Sequence, residues 1–118
     1  MVLADTSVWI QHFRRGDPTL RADLSDGRVL MHPFVLGELA CGNLKNRAAV
    51  LAELNRLAKA SVASNLEVLE LLENQRLWGR GLGWVDLHLL ASALLSHCGF
   101  RTFDKRLRGV GAELGLGW

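Results

Sequence analysis

The sequence is poor in the features that define several classes of protein. It has two cysteines, Cys41 and Cys98, both in apolar surroundings and without C-x-x-C spacing. That is too few for a disulfide scaffold and the wrong pattern for a zinc site, so both are expected as small buried thiols in a reducing compartment. No stretch reaches the roughly 20 apolar residues that a membrane-spanning helix needs. The longest, Leu87–Phe100, carries His88 and His97. The N-terminus has neither the basic region nor the cleavage site of a signal peptide, and Asp5 would interrupt its apolar core. Repeats, low-complexity tracts and linker-like segments are missing too. What remains is a soluble, cytoplasmic protein without membrane contact, forming one domain over residues 1–118. Its 49% hydrophobic and 22% charged content belongs to a folded chain.

Apolar runs and turn signals divide the chain into short strands and helices. Val2–Ala4 reads as a buried strand, and Asp5-Thr6-Ser7 supplies capping side chains for a helix over Val8–Arg14. Gly16-Asp17-Pro18 starts a second helix running to Leu24. Arg28–His32 is a predicted strand, and Pro33 opens a helix that stops at Gly42. Lys45–Leu57 is amphipathic, with Val50, Leu51, Leu54 and Leu57 at helical spacing. "ASVAS" at Ala60–Ser64 is a predicted strand, and Ser64 with Glu67 forms a capping box for a helix to about Leu77. The Gly-rich "WGRGLGWV" is a loop, Asp86–Cys98 an apolar helix, and "FRTF" a strand. Asp104–Leu107 turns into a short helix, and "ELGLGW" is a candidate edge strand. Strands alternating with helices predict an α/β fold, a parallel sheet covered on both faces.

Eight of the twelve acids lie among polar residues on predicted surfaces, and four do not. Asp5 follows a buried strand, Glu38 sits in "VLGELACG", Asp86 opens an apolar helix, and Asp104 closes the strand "FRTF". Each has an ordinary explanation alone, as a helix cap, a surface residue or a turn residue. Ligands in α/β sheets bind at the carboxyl ends of the strands, however, and Asp5 and Asp104 fall there, with Asp86 within reach. Two carboxylates about 4 Å apart repel by roughly 4 kcal/mol at an effective dielectric near 20, so a cluster needs bound cations or shared protons. Oxygen-only ligands suit Mg²⁺ or Mn²⁺, and the matching chemistry is metal-assisted phosphodiester hydrolysis. With these four acids in one site, fourteen basic groups would face eight acids elsewhere, a balance suited to a polyanionic substrate.

The blocks "LADTSVWI", "GEL" with Glu38, "GWVDLHLLASALL" and "RTFDKRL" resemble the four signature blocks of PIN-domain ribonucleases, and among them VapC-type toxins of toxin–antitoxin pairs. The resemblance covers nearly the whole chain, in order and with suitable spacing. It implies an α/β/α sandwich around a parallel sheet of four to five short strands. It also implies a Mg²⁺- or Mn²⁺-dependent endoribonuclease with catalytic acids matching Asp5, Glu38, Asp86 and Asp104, of which Asp5, Asp86 and Asp104 are the expected metal ligands. The expected partners are an RNA substrate and a cognate antitoxin, and the apolar helices would support a homodimer.

Thr102 lies two residues before Asp104 on one strand, so both side chains face the same way, and its hydroxyl is placed to orient a carboxylate. It also matches the Thr of the family's "TxD" block. Ser7 is expected as a cap, whereas Thr6 is open between capping and contact with the site. The four histidines are not spaced as a metal set, and core packing is the expected role of the four tryptophans, with Trp84 as the candidate for base stacking. Two other functions fit parts of the pattern. A nuclease acting on DNA would use the same acids, although the short chain has no insertion to clamp a duplex. A phospho-acceptor receiver module would need an acid pair after the first strand, where Asp5 is followed by Thr6-Ser7.

Overall fold

Val2, Leu3 and Ala4 are almost completely buried, an unbroken apolar run of the kind a strand needs when both faces of its sheet are covered. A computed structural model, describing residues 1–118, places this strand, β1 (Val2–Ala4), inside a four-stranded parallel sheet. The other strands are β2 (Val29–Met31), β3 (Ala58–Lys59) and β4 (Gly99–Arg101), in the order β3-β2-β1-β4. Seven helices connect or follow them: α1 (Thr6–Arg15), α2 (Pro18–Ser25), α3 (Pro33–Cys41), α4 (Arg47–Asn55), α5 (Asn65–Asn74), α6 (Trp84–Leu95) and α7 (Lys105–Glu113). The chain runs outward from β1 through β2 to β3 and then back past β1 to β4, and right-handed crossovers, the rule for parallel strands, put α1–α4 and α5–α6 on opposite faces. This is the expected α/β/α sandwich. The reversal of direction leaves a crevice at the carboxyl ends of β1 and β4.

Three acids begin helices by capping them. Asp5, Asp17 and Asp104 accept hydrogen bonds from the N–H groups of Val8, Leu20 and Leu107, and Pro18 and Pro33 stand at first-turn positions where no N–H is needed. Ser64 and Glu67 form the expected capping box of α5.

Several boundaries differ from the sequence expectation. The third strand is Ala58–Lys59, not Ala60–Ser64. Beyond Ala60, whose N–H still reaches the Met31 carbonyl, the Ser61 and Ala63 N–H groups donate to the hydroxyls of Ser96 and Ser92 on α6, so the ladder stops. The sixth helix starts at Trp84 rather than Asp86, because extended Gly83 leads into it and Asp86 accepts the Gly83 N–H. β4 ends at Arg101, before Thr102 and Phe103. Residues 114–118 form no strand. Their backbone meets the sheet through the Phe100 N–H donating to the Leu116 carbonyl. The helix expected over Lys45–Leu57 shortens to Arg47–Asn55, and α5 ends at Asn74. Cys98 is buried as expected, whereas Cys41 is exposed at the end of α3.

His32 is fully buried where β2 meets α3. Its Nδ1 accepts the Phe34 N–H (3.0 Å), so the proton sits on Nε2, which donates to Ser92 Oγ (3.0 Å). Burial, with a smaller push from His88, takes the imidazole down to about 4. The unfolded ring binds its proton near pH 6.5, so this contribution to stability is complete above that pH and is lost as pH falls from 6.5 through 4. At about 1.36 kcal/mol per unit the loss reaches up to about 3 kcal/mol. Urea unfolding midpoints measured across that range should fall with acidification, and His32→Asn, which retains a capping oxygen but no titrating ring, should flatten the slope.

Candidate active site

Asp5 leaves the central strand directly into the crevice and is only 7% exposed. Its N–H donates to the Arg101 carbonyl (3.0 Å), continuing the β1–β4 ladder by one step. Oδ1 accepts the Ser7 hydroxyl (2.5 Å) and the Val8 N–H (3.3 Å), and Oδ2 accepts the Thr102 hydroxyl (2.5 Å). The four ion pairs of the chain join Arg28 to Asp26, Arg56 to Glu53, Arg80 to Glu113 and Arg101 to Asp17. Asp5 is thus a buried carboxylate with hydrogen-bond donors and no basic partner.

Thr102 is the hinge of the cluster. Besides donating to Asp5, its hydroxyl accepts the Asp104 N–H (3.0 Å), so one side chain fixes both the carboxylate after β1 and the turn after β4. Ser7 closes the other side by accepting the Phe103 N–H (3.1 Å). Asp104 caps α7 and stays exposed. Thr6 donates to Glu38 Oε1 (2.7 Å), tying α1 to α3, and Glu38 is likewise exposed. Hydrogen bonds therefore unite Asp5, Thr102 and Asp104, and they attach Glu38 through Thr6, the neighbour of Asp5. Asp86 is half-buried in the first turn of α6, with Oδ2 on the Gly83 N–H (2.9 Å) and no bond to the other acids. No three carboxylate, imidazole or thiol groups converge as a ready-made metal cage.

The burial of acids departs from the sequence expectation. Glu38 and Asp104 are exposed, whereas Asp17 and Asp23, taken as surface residues, are buried. Asp17 receives the Arg101 guanidinium through two bonds (2.6 and 2.8 Å), which holds its carboxyl below the usual aspartate range. Asp23 accepts the Trp118 indole N–H (2.8 Å). The missed signal was Arg101 itself: a charge between Phe100 and Thr102 in a buried strand needs a counter-ion. Ser7, expected as a cap, contacts Asp5 and Phe103 instead. Of the tryptophans only Trp9 is in the core, and Trp78, Trp84 and Trp118 are exposed. The histidines make no metal set: His32 and His88 are buried and bonded to Ser92 and Asn65.

The sequence model of the PIN domain matches residues 2–113. Over 117 residues the chain is 47% identical to Ribonuclease VapC32 of Mycobacterium tuberculosis, in strains CDC 1551 and H37Rv alike, covering 98% of this chain and 94% of that protein.

Thr102→Val keeps the branched shape but leaves Asp5 Oδ2 without a donor and the Asp104 N–H without an acceptor. The expected cost is about 1–3 kcal/mol in chemical denaturation, most of it recovered in Thr102→Ser.

Proposed function

The chain belongs to the PIN-domain family, and on that premise we propose that it is a Mg²⁺- or Mn²⁺-dependent endoribonuclease, the toxin of a type II toxin–antitoxin pair. The observation that carries the reading is Asp5, a buried carboxylate at the carboxyl end of an inner strand of a parallel sheet, with no basic side chain paired to it. Burying a charge that way is costly unless another group compensates it.

The donor set suits a hard cation. Asp5, Asp86 and Asp104 offer oxygen only, and a small ion that keeps several waters needs one or two carboxylates plus substrate oxygens rather than a full protein cage. Such an ion, if bound there, would supply an activated water and charge stabilisation at the leaving oxygen. The chain's own residues do the positioning. Thr102 and Ser7 hold the Asp5 carboxylate in one orientation, Thr102 fixes the Asp104 turn, and Thr6 holds Glu38 toward α1. Glu38, exposed and lacking an ion pair, is the carboxylate free to orient a water.

Between α1 and α3 the chain offers such an antitoxin a docking groove. Ile10, Phe13 and Arg14 of α1 and Glu38 and Leu39 of α3 line a groove of about 180 Å³, with Ile10 and Phe13 exposed. An apolar segment that folds on binding would fill it and set a basic side chain against Glu38. Co-purification with the product of the adjacent short reading frame tests this. Phe13→Ala should weaken the complex about tenfold or more, and a partner that neither binds nor inhibits would refute it. The homodimer is a separate measurement, by light scattering. No helix is long and apolar enough to cross a membrane.

Purified protein incubated with total cellular RNA should cut it with Mg²⁺ or Mn²⁺ and not in EDTA. Asp5→Asn should remove most activity, and Thr102→Val should lower metal affinity or activity roughly 10- to 100-fold. Undiminished cleavage in EDTA sinks the metal-dependent mechanism, and cleavage of DNA in preference to RNA sinks the substrate assignment.

A further inference from the structure

Between β4 with the two residues after it, α7 and the C-terminal residues lies a cavity of about 350 Å³, lined in part by Thr102. Its lining includes Arg101, Phe103, Arg108 and Trp118 and contains no acidic side chain. The Arg101 charge is matched by Asp17, and its guanidinium lies 5.2 Å from the centre of the Phe103 ring. Arg108 differs: its Nε and Nη2 donate to the Thr102 carbonyl (3.3 Å each), and no carboxylate pairs with it. A guanidinium with no carboxylate partner therefore lines the cavity, bonded to the carbonyl of the residue whose hydroxyl holds the buried acid.

The aromatic walls are held in place as well. Trp118 is half exposed, yet its indole N–H is anchored on Asp23 and its ring covers Gly99, where an added Cβ would come within 2.7 Å of it. Phe103 exposes its ring beside Arg101. Aromatic faces beside a free cation are the elements that bind single-stranded nucleic acid: the base stacks and the guanidinium takes the phosphate.

We propose that this cavity is the subsite for a nucleotide of single-stranded RNA next to the scissile bond, with its phosphate on Arg108 and its base in contact with both the Phe103 and the Trp118 rings. The proposal rests on the ribonuclease reading above. Thr102 links the two places physically, its hydroxyl on Asp5 and its carbonyl on Arg108.

The test is fluorescence anisotropy with a labelled eight-nucleotide single-stranded RNA of mixed sequence, in EDTA, on an Asp5→Asn background so that the probe stays intact. Arg108→Gln should weaken binding roughly tenfold or more. It should also reduce the slope of log affinity against log salt by about 0.7, one phosphate contact on a single strand. Arg108→Lys should keep the slope while losing part of the affinity. Phe103→Ala and Trp118→Ala should each weaken binding by roughly 5- to 100-fold. Trp118 also covers Gly99, so if Trp118→Ala lowers the melting temperature, Phe103→Ala on its exposed ring decides. Unchanged affinity and salt slope in Arg108→Gln and Phe103→Ala overturn the subsite. So does a loss confined to binding of the co-purified antitoxin. The ribonuclease reading is judged separately, by cleavage of total RNA by the unaltered protein: cleavage with intact variant binding removes the subsite alone.

Discussion

Val2 pairs with Gly99, Leu3 with Phe100 and Ala4 with Arg101, and the next step of this register sets Asp5 beside Thr102. Side chains along a strand alternate between faces, so a slip of one residue would turn Thr102 away from Asp5 and expose Phe100. The apolar run of β1 resists such a slip because it is buried between β2 and β4 with helices over both faces. Asp17 adds a second lock. Its bidentate bond to Arg101 ties α2 to the last residue of β4, and a mostly buried pair of this kind loses about 3–5 kcal/mol when one partner is removed. The crevice inherits its precision from these two constraints.

Three aspartates are buried, and each is accommodated differently. Asp17 has a guanidinium, Asp23 an indole N–H, and Asp5 three neutral donors without a cation. The difference separates structure from chemistry. A carboxylate already neutralised by arginine has little left to offer a ligand, whereas one oriented by hydroxyls keeps its charge available. The same distinction applies to the arginines, where Arg101 is spent on Asp17 and Arg108 is not. Acidic crevice and basic cavity adjoin through one threonine, which suits a metal-assisted reaction on a polyanion.

Much of the fold was legible because it rests on local chemistry. Asp5, Pro18, Pro33 and the Ser64–Glu67 pair mark helix starts, since caps depend on residues within one turn. Asp5 was legible for a related reason: a carboxylate at the end of an apolar strand conflicts with its neighbours unless something compensates it. Thr102 was singled out as sharing a strand with Asp104, but β4 ends at Arg101, and the carboxylate its hydroxyl holds is that of Asp5. The third strand was misplaced, because the segment after Ala60 gives its N–H groups to Ser92 and Ser96, side chains about thirty residues away within an apolar helix. The burial of Asp17 was hidden in the same way, its partner being 84 residues further along.

By itself, then, the sequence determined the alternation of strands and helices and their capped starts, and it marked four acids as candidates, because each is written in residues close together along the chain. Tertiary structure alone decided which of those acids would be buried, that Ser7 and Thr102 would both hold Asp5, and that Arg108, Phe103 and Trp118 would meet around one cavity. These depend on pairing β1 with a strand almost the whole chain away, and on which donors and charges that pairing brings within hydrogen-bonding distance.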